Sequence, residues 1–299
     1  MVDAIILGSI GLDDVRTPFG EVKGALGGSA SYASLACSFF VKPGVVSIVG
    51  DDFPKEYEDL FASRGISLEG VERKEKTFRW SGAYEHDMNE AKTLRTELNS
   101  LQAFSPLLPK EYQEAKYVFL ANTDPDIQLS VLEQVRNPKL VILDTMNFWI
   151  ESKKDRLLEA IRRSDILLLN DGEARQLFGT VNLMKAAKEA LKIGPKHVII
   201  KKGEHGALYF TDTEHFNAPG YPLEFLKDPT GCGDSFGGGL LGYLAKTGDA
   251  SESNVRRAII YGSVIASHNA EDFSLNRVRA ISLEDVEKRF AAFGKMREF

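Results

Sequence analysis

The sequence predicts an α/β fold in which helices cover both faces of a mostly parallel sheet. Short apolar segments alternate with helical patterns along most of the chain, which is typical of repeated strand–helix units. Between about residues 66 and 101 this alternation is replaced by a pattern typical of β-strands. Polar residues follow several of the apolar segments. Because parallel strands end at one edge of a sheet, those residues should line one crevice.

The composition is that of an ordinary globular enzyme. The 299 residues are 43% hydrophobic and 27% charged, with a formal net charge of −6, so nucleic acid and acidic membranes are not expected partners. The length predicts one domain over residues 1–299. Cys37 and Cys232 are too few for a disulfide framework, and no signal peptide or transmembrane run is evident, which favours the cytoplasm. The five histidines lack zinc-ligand spacing.

The first predicted strand ends in a polar turn. Ala4–Leu7 forms this buried strand, and Asp13 and Asp14 lie beyond it, either as solvated acids or as acceptors of hydrogen bonds from hydroxyl groups. The Gly27-Gly28 pair precedes a helix of small residues that begins at Ser29. The pair indicates close helix–sheet packing, close approach of a substrate, or both.

A small β-lid is predicted from residues 12–26 and 66–101. Thr77–Tyr84 alternates as a strand does, and Thr93–Leu101 is a second candidate strand, although a helix is also compatible with it. Phe78, Trp80 and Tyr84 share one parity and therefore one face. That face packs on protein, such as a second lid in a homodimer, or covers the substrate.

Regular strand–helix alternation continues outside the lid. The remaining predicted strands are Val45–Val49, Tyr117–Ala121, Leu140–Asp144, Ile166–Leu169 and His197–Lys201. The predicted helices are Asp52–Arg64, Asp126–Arg136, Lys154–Ser164, Gly172–Phe178, Asn182–Ile193, Gly237–Ala245, Ser253–Ala270 and Ser282–Phe293. The polar segments after the strands are residues 122–124, 144–147, 170–173 and 201–206.

A turn of small residues, Lys227–Phe236, precedes the helix at Gly237. Gly231 and Gly233 permit positive φ and close approach of a ligand, and the N–H groups at a helix start bind anions. Asp234 would repel a phosphate unless it has a role of its own. It is either a helix N-cap or a base that takes a proton from an attacking hydroxyl group.

Five segments in this order resemble the signatures of the ribokinase-like (PfkB) carbohydrate kinase family. They are Gly27–Ala30, Asp144–Asn147, Asn170–Glu173, Lys201–Gly206 and Asp228–Asp234. The resemblance covers essentially the whole chain and implies a ribokinase-like three-layer α/β/α fold with a mostly parallel central sheet and a small β-lid. It also implies transfer of the γ-phosphate of ATP to a hydroxyl group, usually the hydroxymethyl group of a sugar. A nucleoside or a sugar phosphate is the alternative acceptor.

The resemblance implies roles for individual residues. Asp234 would be the base, and the N–H groups of Gly231, Cys232 and Gly233 would form an anion hole. Asn170 and Glu173 would hold Mg²⁺ through water. The resemblance leaves open whether a monovalent cation is also bound. The implied nucleotide-binding residues are Asn170, Lys202, Gly203, Gly206, Thr230, Val264, His268 and Asn269. The implied acceptor-binding residues are Asp13, Gly27, Gly28, Asn147 and Asp234.

Departures from the family pattern bear on the acceptor. Phe148 stands where sugar-acid kinases often carry Arg, which argues against an acceptor with a carboxylate, and the thiol of Cys232 could be open to oxidation. Trp80 and Tyr84 could stack on a nucleobase. The lid cations could bind a sugar phosphate or be solvated; these are Arg79, Lys92 and Arg95.

Two other protein classes fit the sequence less well. A catalytically inactive sugar- or nucleotide-binding regulator of the same fold is disfavoured by the presence of Asp234. A dinucleotide-dependent dehydrogenase would need Gly-x-Gly-x-x-Gly after the first strand, and Gly8–Asp13 lacks that pattern.

Overall fold

Most strands of the protein form one sheet of nine. A computed structural model describes residues 2–89 and 91–296. The strands of this sheet are β1 (Ala4–Leu7), β4 (Pro43–Val49), β5 (Ser67–Arg73), β8 (Tyr117–Leu120), β9 (Leu140–Leu143), β10 (Ile166–Asn170), β11 (His197–Lys201), β12 (Ala207–Phe210) and β13 (His215–Ala218). Their order is β13-β12-β11-β10-β9-β8-β1-β4-β5. The pairs from β11 to β5 are parallel, and β12 and β13 continue the sheet antiparallel.

The sheet is covered on both faces. All four residues of β1 are buried; Ile6 belongs to one apolar core cluster, whereas Ile5 and Leu7 belong to another. Alternate residues of a strand point to opposite faces, so the two clusters lie on opposite sides of the sheet. This arrangement confirms the predicted three-layer α/β/α fold.

The helices divide between these two sides. They are α1 (Ser29–Cys37), α2 (Lys55–Ser63), α3 (Lys110–Gln113), α4 (Pro125–Gln134), α5 (Asn147–Ser152), α6 (Lys154–Arg162), α7 (Asp171–Phe178), α8 (Leu183–Ile193), α9 (Cys232–Thr247), α10 (Glu252–Asn269), α11 (Asn276–Ala280) and α12 (Leu283–Lys295). The cluster of Ile6 includes residues of α1, α9 and α10. The cluster of Ile5 includes residues of α4, α6 and α8. The predicted helices are therefore present, with ends shifted by a few residues.

Glycines bring α9 close to its neighbours. A Cβ on Gly238 would lie 2.1 Å from the carbonyl oxygen of Ala33 in α1, and one on Gly237 would lie 2.4 Å from the ring of Phe119 in β8. Larger residues would push the helix away from both neighbours. The run of small residues therefore fixes where α9 begins, and its first turn carries Asp234.

A second, smaller sheet contains the predicted lid. Its strands are β2 (Gly11–Thr17), β3 (Gly20–Gly27), β6 (Phe78–Ala83) and β7 (Lys92–Glu97), in the order β3-β2-β6-β7. Here β2 runs antiparallel to β3 and parallel to β6, and β6 runs antiparallel to β7. Both predicted lid ranges thus contribute strands to one sheet.

Three details predicted for the segments around the lid were wrong. Asp13 and Asp14 lie within β2 rather than in a turn, because pairing with β3 and β6 extends the backbone there. The range 66–101 is too wide at its start, since β5 pairs with β4 in the large sheet. It is also too wide at its end, since β7 stops at Glu97 and Asn99–Ala103 is a 3-10 helix.

Candidate active site

The turn that precedes α9 has a backbone that only glycine fits at one position. Gly231 has φ +73°, and a Cβ there would lie 2.3 Å from Cγ of the Tyr32 ring. The N–H of Cys232 donates to the carbonyl of Pro229 at 3.1 Å. The N–H of Cys232 is thus bonded within the turn, and an anion hole formed by the amides of Gly231, Cys232 and Gly233 stays a prediction. The predicted anion hole therefore depends mainly on the N–H groups of Gly231 and Gly233.

Asp228 anchors this turn from inside the protein. Its side chain is fully buried; Oδ1 accepts from the N–H of Thr230 at 2.9 Å, and Oδ2 accepts from the N–H of Ser274 at 3.1 Å. The Ser274 hydroxyl in turn donates to the carbonyl of Leu26 in β3. A buried carboxylate with charge-assisted bonds holds its partners firmly. The first acid of the turn is therefore a structural anchor, a role that the sequence did not assign.

Asp234 is a carboxyl group with the properties of a general base. Burial and the nearby charge of Asp144 together raise its pKa to about 7, against the opposing charge of Lys201. A base is most effective when its pKa lies near the working pH. Asp234 lies in the first turn of α9, where the helix dipole favours its ionised form.

Lys201, which precedes the predicted nucleotide-binding residue Lys202, extends from the end of β11 to Asp144. Its Nζ donates to Oδ2 of Asp144 at 2.5 Å; the Asp144 side chain is buried and that of Lys201 is mostly buried. The same Nζ lies 3.2 Å from the point where a Cβ on Gly233 would be. Lys202 begins the next turn, with its backbone N–H bonded to the carbonyl of Gly206 at 2.7 Å. Parity could have found Lys201, because it shares a face of β11 with Ile199, which packs in the same cluster as α9.

Asn170 and Glu173 form a capping box at the start of α7. The Asn170 side chain accepts from the N–H of Glu173 at 2.7 Å, and Glu173 accepts from the N–H of Asn170 at 2.7 Å. Burial, together with the charges of Asp144 and Asp234, raises the pKa of Glu173 to about 8 against the opposing charge of Lys201. The two predicted metal-holding residues are thus fixed side by side.

The charges at this site fit a divalent cation. Three carboxyl groups, those of Asp144, Glu173 and Asp234, interact electrostatically with the single ammonium of Lys201. Within residues 2–89 and 91–296, no group of three or more acidic, His or Cys side chains is close enough to hold a metal ion directly. Mg²⁺ keeps several of its waters when protein carboxylates bind it. The residues therefore suit Mg²⁺ held through water.

Asp13 provides a buried acid on the acceptor side. A Cβ on Gly27 would lie 1.9 Å from Oδ2 of Asp13, so the carboxyl group occupies the space left by the missing side chain. Burial raises the pKa of Asp13 to about 8, with contributions from Asp228 and Asp234, while a bond from the Gly28 N–H opposes the rise. In the described part of the chain its Oδ1 has no hydrogen-bond partner. Such an atom is suited to a ligand hydroxyl group.

The predicted nucleotide-binding loop, residues 201–206, contains two glycines with positive φ, as a loop that a ligand approaches closely often does. Gly203 has φ +53° and Gly206 has φ +85°, and a Cβ on Gly203 would lie 1.9 Å from Oδ1 of Asn89 in the lid. The lid also reaches the turn before α9, since the hydroxyl groups of Tyr84 and Thr230 are 3.2 Å apart. The lid therefore contacts both predicted phosphate-side loops.

The predicted adenine-side residues on α10 are buried. Val264 is fully buried in the core and offers no surface to a ligand in this structure. Burial lowers the pKa of His268 to about 4, and its ring lies 3.4 Å from Glu271. The Asn269 side chain donates to the carbonyl of Thr230 at 2.8 Å, so it supports the turn. These contacts are structural, and a nucleotide contact by the three residues stays a prediction.

The thiol of Cys232 is turned away from the predicted anion hole. Its Sγ lies 3.4 Å from the carbonyl oxygen of Ala266 and 3.5 Å from Nδ2 of Asn269. Burial raises the pKa of this thiol to about 12. Since the thiolate is the reactive form, the structure argues against the suggested oxidation.

Trp80 lies on the same lid face as Asp13. The two residues are directly paired between β6 and β2, and paired residues of neighbouring strands point to the same side. The Trp80 ring covers Gly82, where a Cβ would lie 2.0 Å from it, and its Nε1 donates to Thr93 at 3.2 Å. A half-buried indole therefore stands beside the predicted acceptor acid.

Other predicted acceptor contacts are less enclosed. Asn147 and Phe148 begin α5 with exposed side chains, and Phe148 is 54% exposed. The lid cations already have acidic partners: Arg79 with Asp52 at 3.1 Å, Lys92 with Glu85 at 2.9 Å and Arg95 with Glu97 at 2.8 Å. These pairs give little support to a phosphate site on the lid.

Comparison with known proteins places the chain among kinases. The model of the pfkB family carbohydrate kinases matches residues 9–277. The cytidine kinase of Thermococcus kodakarensis is 30% identical over 250 residues, which is 81% of this chain and 88% of that protein. The 5-dehydro-2-deoxygluconokinase of Photobacterium profundum is 25% identical over 299 aligned residues, which cover 90% of this chain and 88% of that protein.

Solved structures share the fold. An Escherichia coli protein assigned as ribokinase II, solved with ATP and Mg²⁺, has a TM-score of 0.79 and 18% identity, and the match covers 98% of this chain and 99% of that one. In addition, no helix in the described ranges is long and apolar enough to cross a membrane.

Proposed function

The chain belongs to the pfkB family of carbohydrate kinases and is thus a phosphotransferase with a hydroxyl acceptor, and we propose that its acceptor is a nucleoside. In this proposal the γ-phosphate of ATP is transferred to the hydroxymethyl group of the nucleoside sugar. The family resemblance favours a free sugar over a nucleoside as the acceptor. The geometry of the lid supports the reverse order.

The pairing of Trp80 with Asp13 carries the proposal. Asp13 has an unsatisfied buried oxygen that suits a sugar hydroxyl group, and the indole beside it offers a flat apolar surface for a base. Stacking of a base on an aromatic ring contributes about 1–3 kcal/mol. A free sugar would leave that surface unused. The similarity to a cytidine kinase agrees with this choice.

The proposed chemistry uses residues of this chain at defined atoms. The Asp234 carboxylate accepts the proton of the hydroxymethyl group, whose oxygen then bonds to the γ-phosphorus of ATP as ADP leaves. The N–H groups of Gly231 and Gly233 stabilise the charge on the transferred phosphoryl group. Asn170 and Glu173 would hold Mg²⁺ through water. When bound, Mg²⁺ supplies charge neutralisation of the ATP phosphates.

Other acceptors receive less support from the site. Phe148 stands where an Arg would bind a sugar acid, although the chain is 25% identical to a kinase named for such a substrate. The acidic partners of the lid cations weaken the case for a sugar phosphate. A regulator without activity would not need a half-buried Asp234 whose pKa is raised by burial to about 7.

An acceptor panel with one lid substitution tests the proposal. ADP formation is measured with Mg²⁺ and ATP against cytidine, other nucleosides, ribose, a sugar phosphate and a sugar acid. We expect a nucleoside to give the highest kcat/KM. We expect Trp80→Ala to raise KM for that nucleoside about tenfold or more, the equivalent of at least 1.4 kcal/mol of lost stacking.

The matched control is Leu94→Ala, which removes an exposed apolar side chain of the lid strand β7. It should leave KM unchanged. A wild-type enzyme that prefers ribose, or a Trp80→Ala variant with unchanged KM for the nucleoside, would contradict the proposed acceptor.

A further inference from the structure

Two adjacent lysines end β11, and the structure separates them clearly. The side chain of Lys201 is 16% exposed and points to the side where α9 begins, whereas Lys202 starts the turn to Gly206. The Nζ of Lys201 lies 3.2 Å from the position of a Cβ on Gly233. Because Gly233 has no side chain, nothing of that residue stands between the ammonium group and the proposed anion hole.

The position of Lys201 is fixed by one carboxylate. Asp144 follows β9 and is buried, and it accepts one hydrogen bond from Lys201 at 2.5 Å. An ammonium group has three N–H donors, so two remain beyond this bond. Burial alone would lower the pKa of Lys201, but the nearby carboxylates of Asp144 and Glu173 outweigh it, and the pKa lies above its usual value. The ion pair with Asp144 favours the charged form of Lys201.

We propose that Lys201 is a catalytic residue that donates hydrogen bonds to the transferred phosphoryl group beside the amides of Gly231 and Gly233, an inference that rests on the proposed phosphotransfer. Asp144 acts as its positioning residue. A buried, pre-positioned cation stabilises charge at a phosphoryl group without reorganisation during the reaction. This assigns to Lys201 the phosphate contact that the sequence had suggested for Lys202.

The test compares variants in the intact enzyme with its best acceptor. Lys201→Met removes the charge and keeps the length of the side chain. We expect kcat to fall about 100-fold, the size seen when one transition-state donor is lost. ADP should bind with wild-type affinity, since the lost contact concerns the γ-phosphoryl group. Lys201→Arg should recover part of kcat.

Sulfur substitution separates a phosphoryl contact from a structural role. ATPγS carries sulfur in place of one oxygen of the γ-phosphoryl group, and sulfur accepts hydrogen bonds poorly. The ratio of kcat with ATP to kcat with ATPγS should be smaller in Lys201→Met than in the wild type. The matched control is Lys196→Met, because Lys196 precedes β11 with a side chain that is 77% exposed; its kcat and its ratio should equal those of the wild type.

Removal of Lys201 leaves Asp144 buried without its cation, which could unfold the protein. The double variant Lys201→Met with Asp144→Asn removes both charges and should fold, with the same loss of kcat and the same reduced ratio. If the wild type is active and folded Lys201 variants keep its kcat or its ATP to ATPγS ratio, the proposed role of Lys201 is overturned. The proposed function would then still stand. A wild type that phosphorylates no acceptor would instead overturn the proposed function, and the role of Lys201 with it.

Discussion

Replacement of Asp234 by Asn should make the protein more stable at alkaline pH while it abolishes most of the activity. Burial raises the pKa of Asp234 from 3.8 to about 7. The free energy of ionising this carboxyl group is therefore about 4 kcal/mol higher in the folded than in the unfolded state. At pH 8 the wild type bears this cost, because the carboxylate is ionised where burial disfavours the charge. Asn has nearly the same shape and no charge to desolvate.

The sign of the pH dependence follows from the raised pKa. Between about pH 4 and pH 7 the folded protein holds a proton that the unfolded chain has released, so this group lowers stability as the pH rises. Below pH 4 Asp234 is protonated in both states and does not penalise folding. Above pH 7 it is ionised in both states, and its full cost to the free energy of unfolding is present. The stability gain of Asp234→Asn should therefore be up to about 4 kcal/mol at pH 8 and close to zero at pH 4.

Urea unfolding of the two proteins at pH 8 and pH 4 measures this difference. Turnover is measured on the same samples and should fall by about 10²–10⁴, the usual contribution of a general base. ATP binding should stay near that of the wild type. An Asp234→Asn variant that is less stable than the wild type at pH 8 would show that burial does not disfavour the Asp234 charge. A variant that retains its turnover would exclude Asp234 as the base.

Three further predictions concern pH, backbone and assembly. The kcat/KM of the wild type should rise about tenfold per pH unit up to about pH 7 and then level off, because this profile reports the base of the free enzyme; a flat profile from pH 5 to 8 would argue against Asp234. Gly231→Ala should lower the free energy of unfolding by about 1–3 kcal/mol, since φ is +73° and the Tyr32 ring blocks a Cβ. Gly294→Ala is the control, because the space around its Cβ position is open. Equal effects of the two substitutions on stability would contradict the prediction. The exposed edge strand β7 should pair with a second lid in a homodimer, so sedimentation at micromolar concentration should give twice the 33.1 kDa of the chain, and a monomer mass would end this proposal.

The sequence was sufficient for the layers of the fold and for most strands and helices. Buried parallel strands such as β1 consist of consecutive apolar residues, and α4, α6, α7 and α8 have clear helical patterns between them. These signals are local. The pairing of β5 with β4 is not local, and its alternating polar residues did not distinguish an edge of the large sheet from the lid.

The candidate site was predicted in part for the same reason. The turn before α9 and the Asn170–Glu173 pair stand in recognisable local patterns, and the structure brings them to one region. The choice between Lys201 and Lys202 depends on which lysine points towards α9, which the motif alone does not specify. Likewise the sequence suggested nucleotide contacts for three residues of α10, which the packing of this helix buries. They are Val264, His268 and Asn269.

The decisive measurement is the transfer of the γ-phosphate from radiolabelled ATP to cytidine and to the other acceptors of the panel. The wild type should form a labelled nucleoside monophosphate in the presence of Mg²⁺, and Asp234→Asn should form it at most at about a hundredth of that rate. Absence of labelled nucleoside monophosphate from the wild type, or equal labelling by both proteins, would contradict the account.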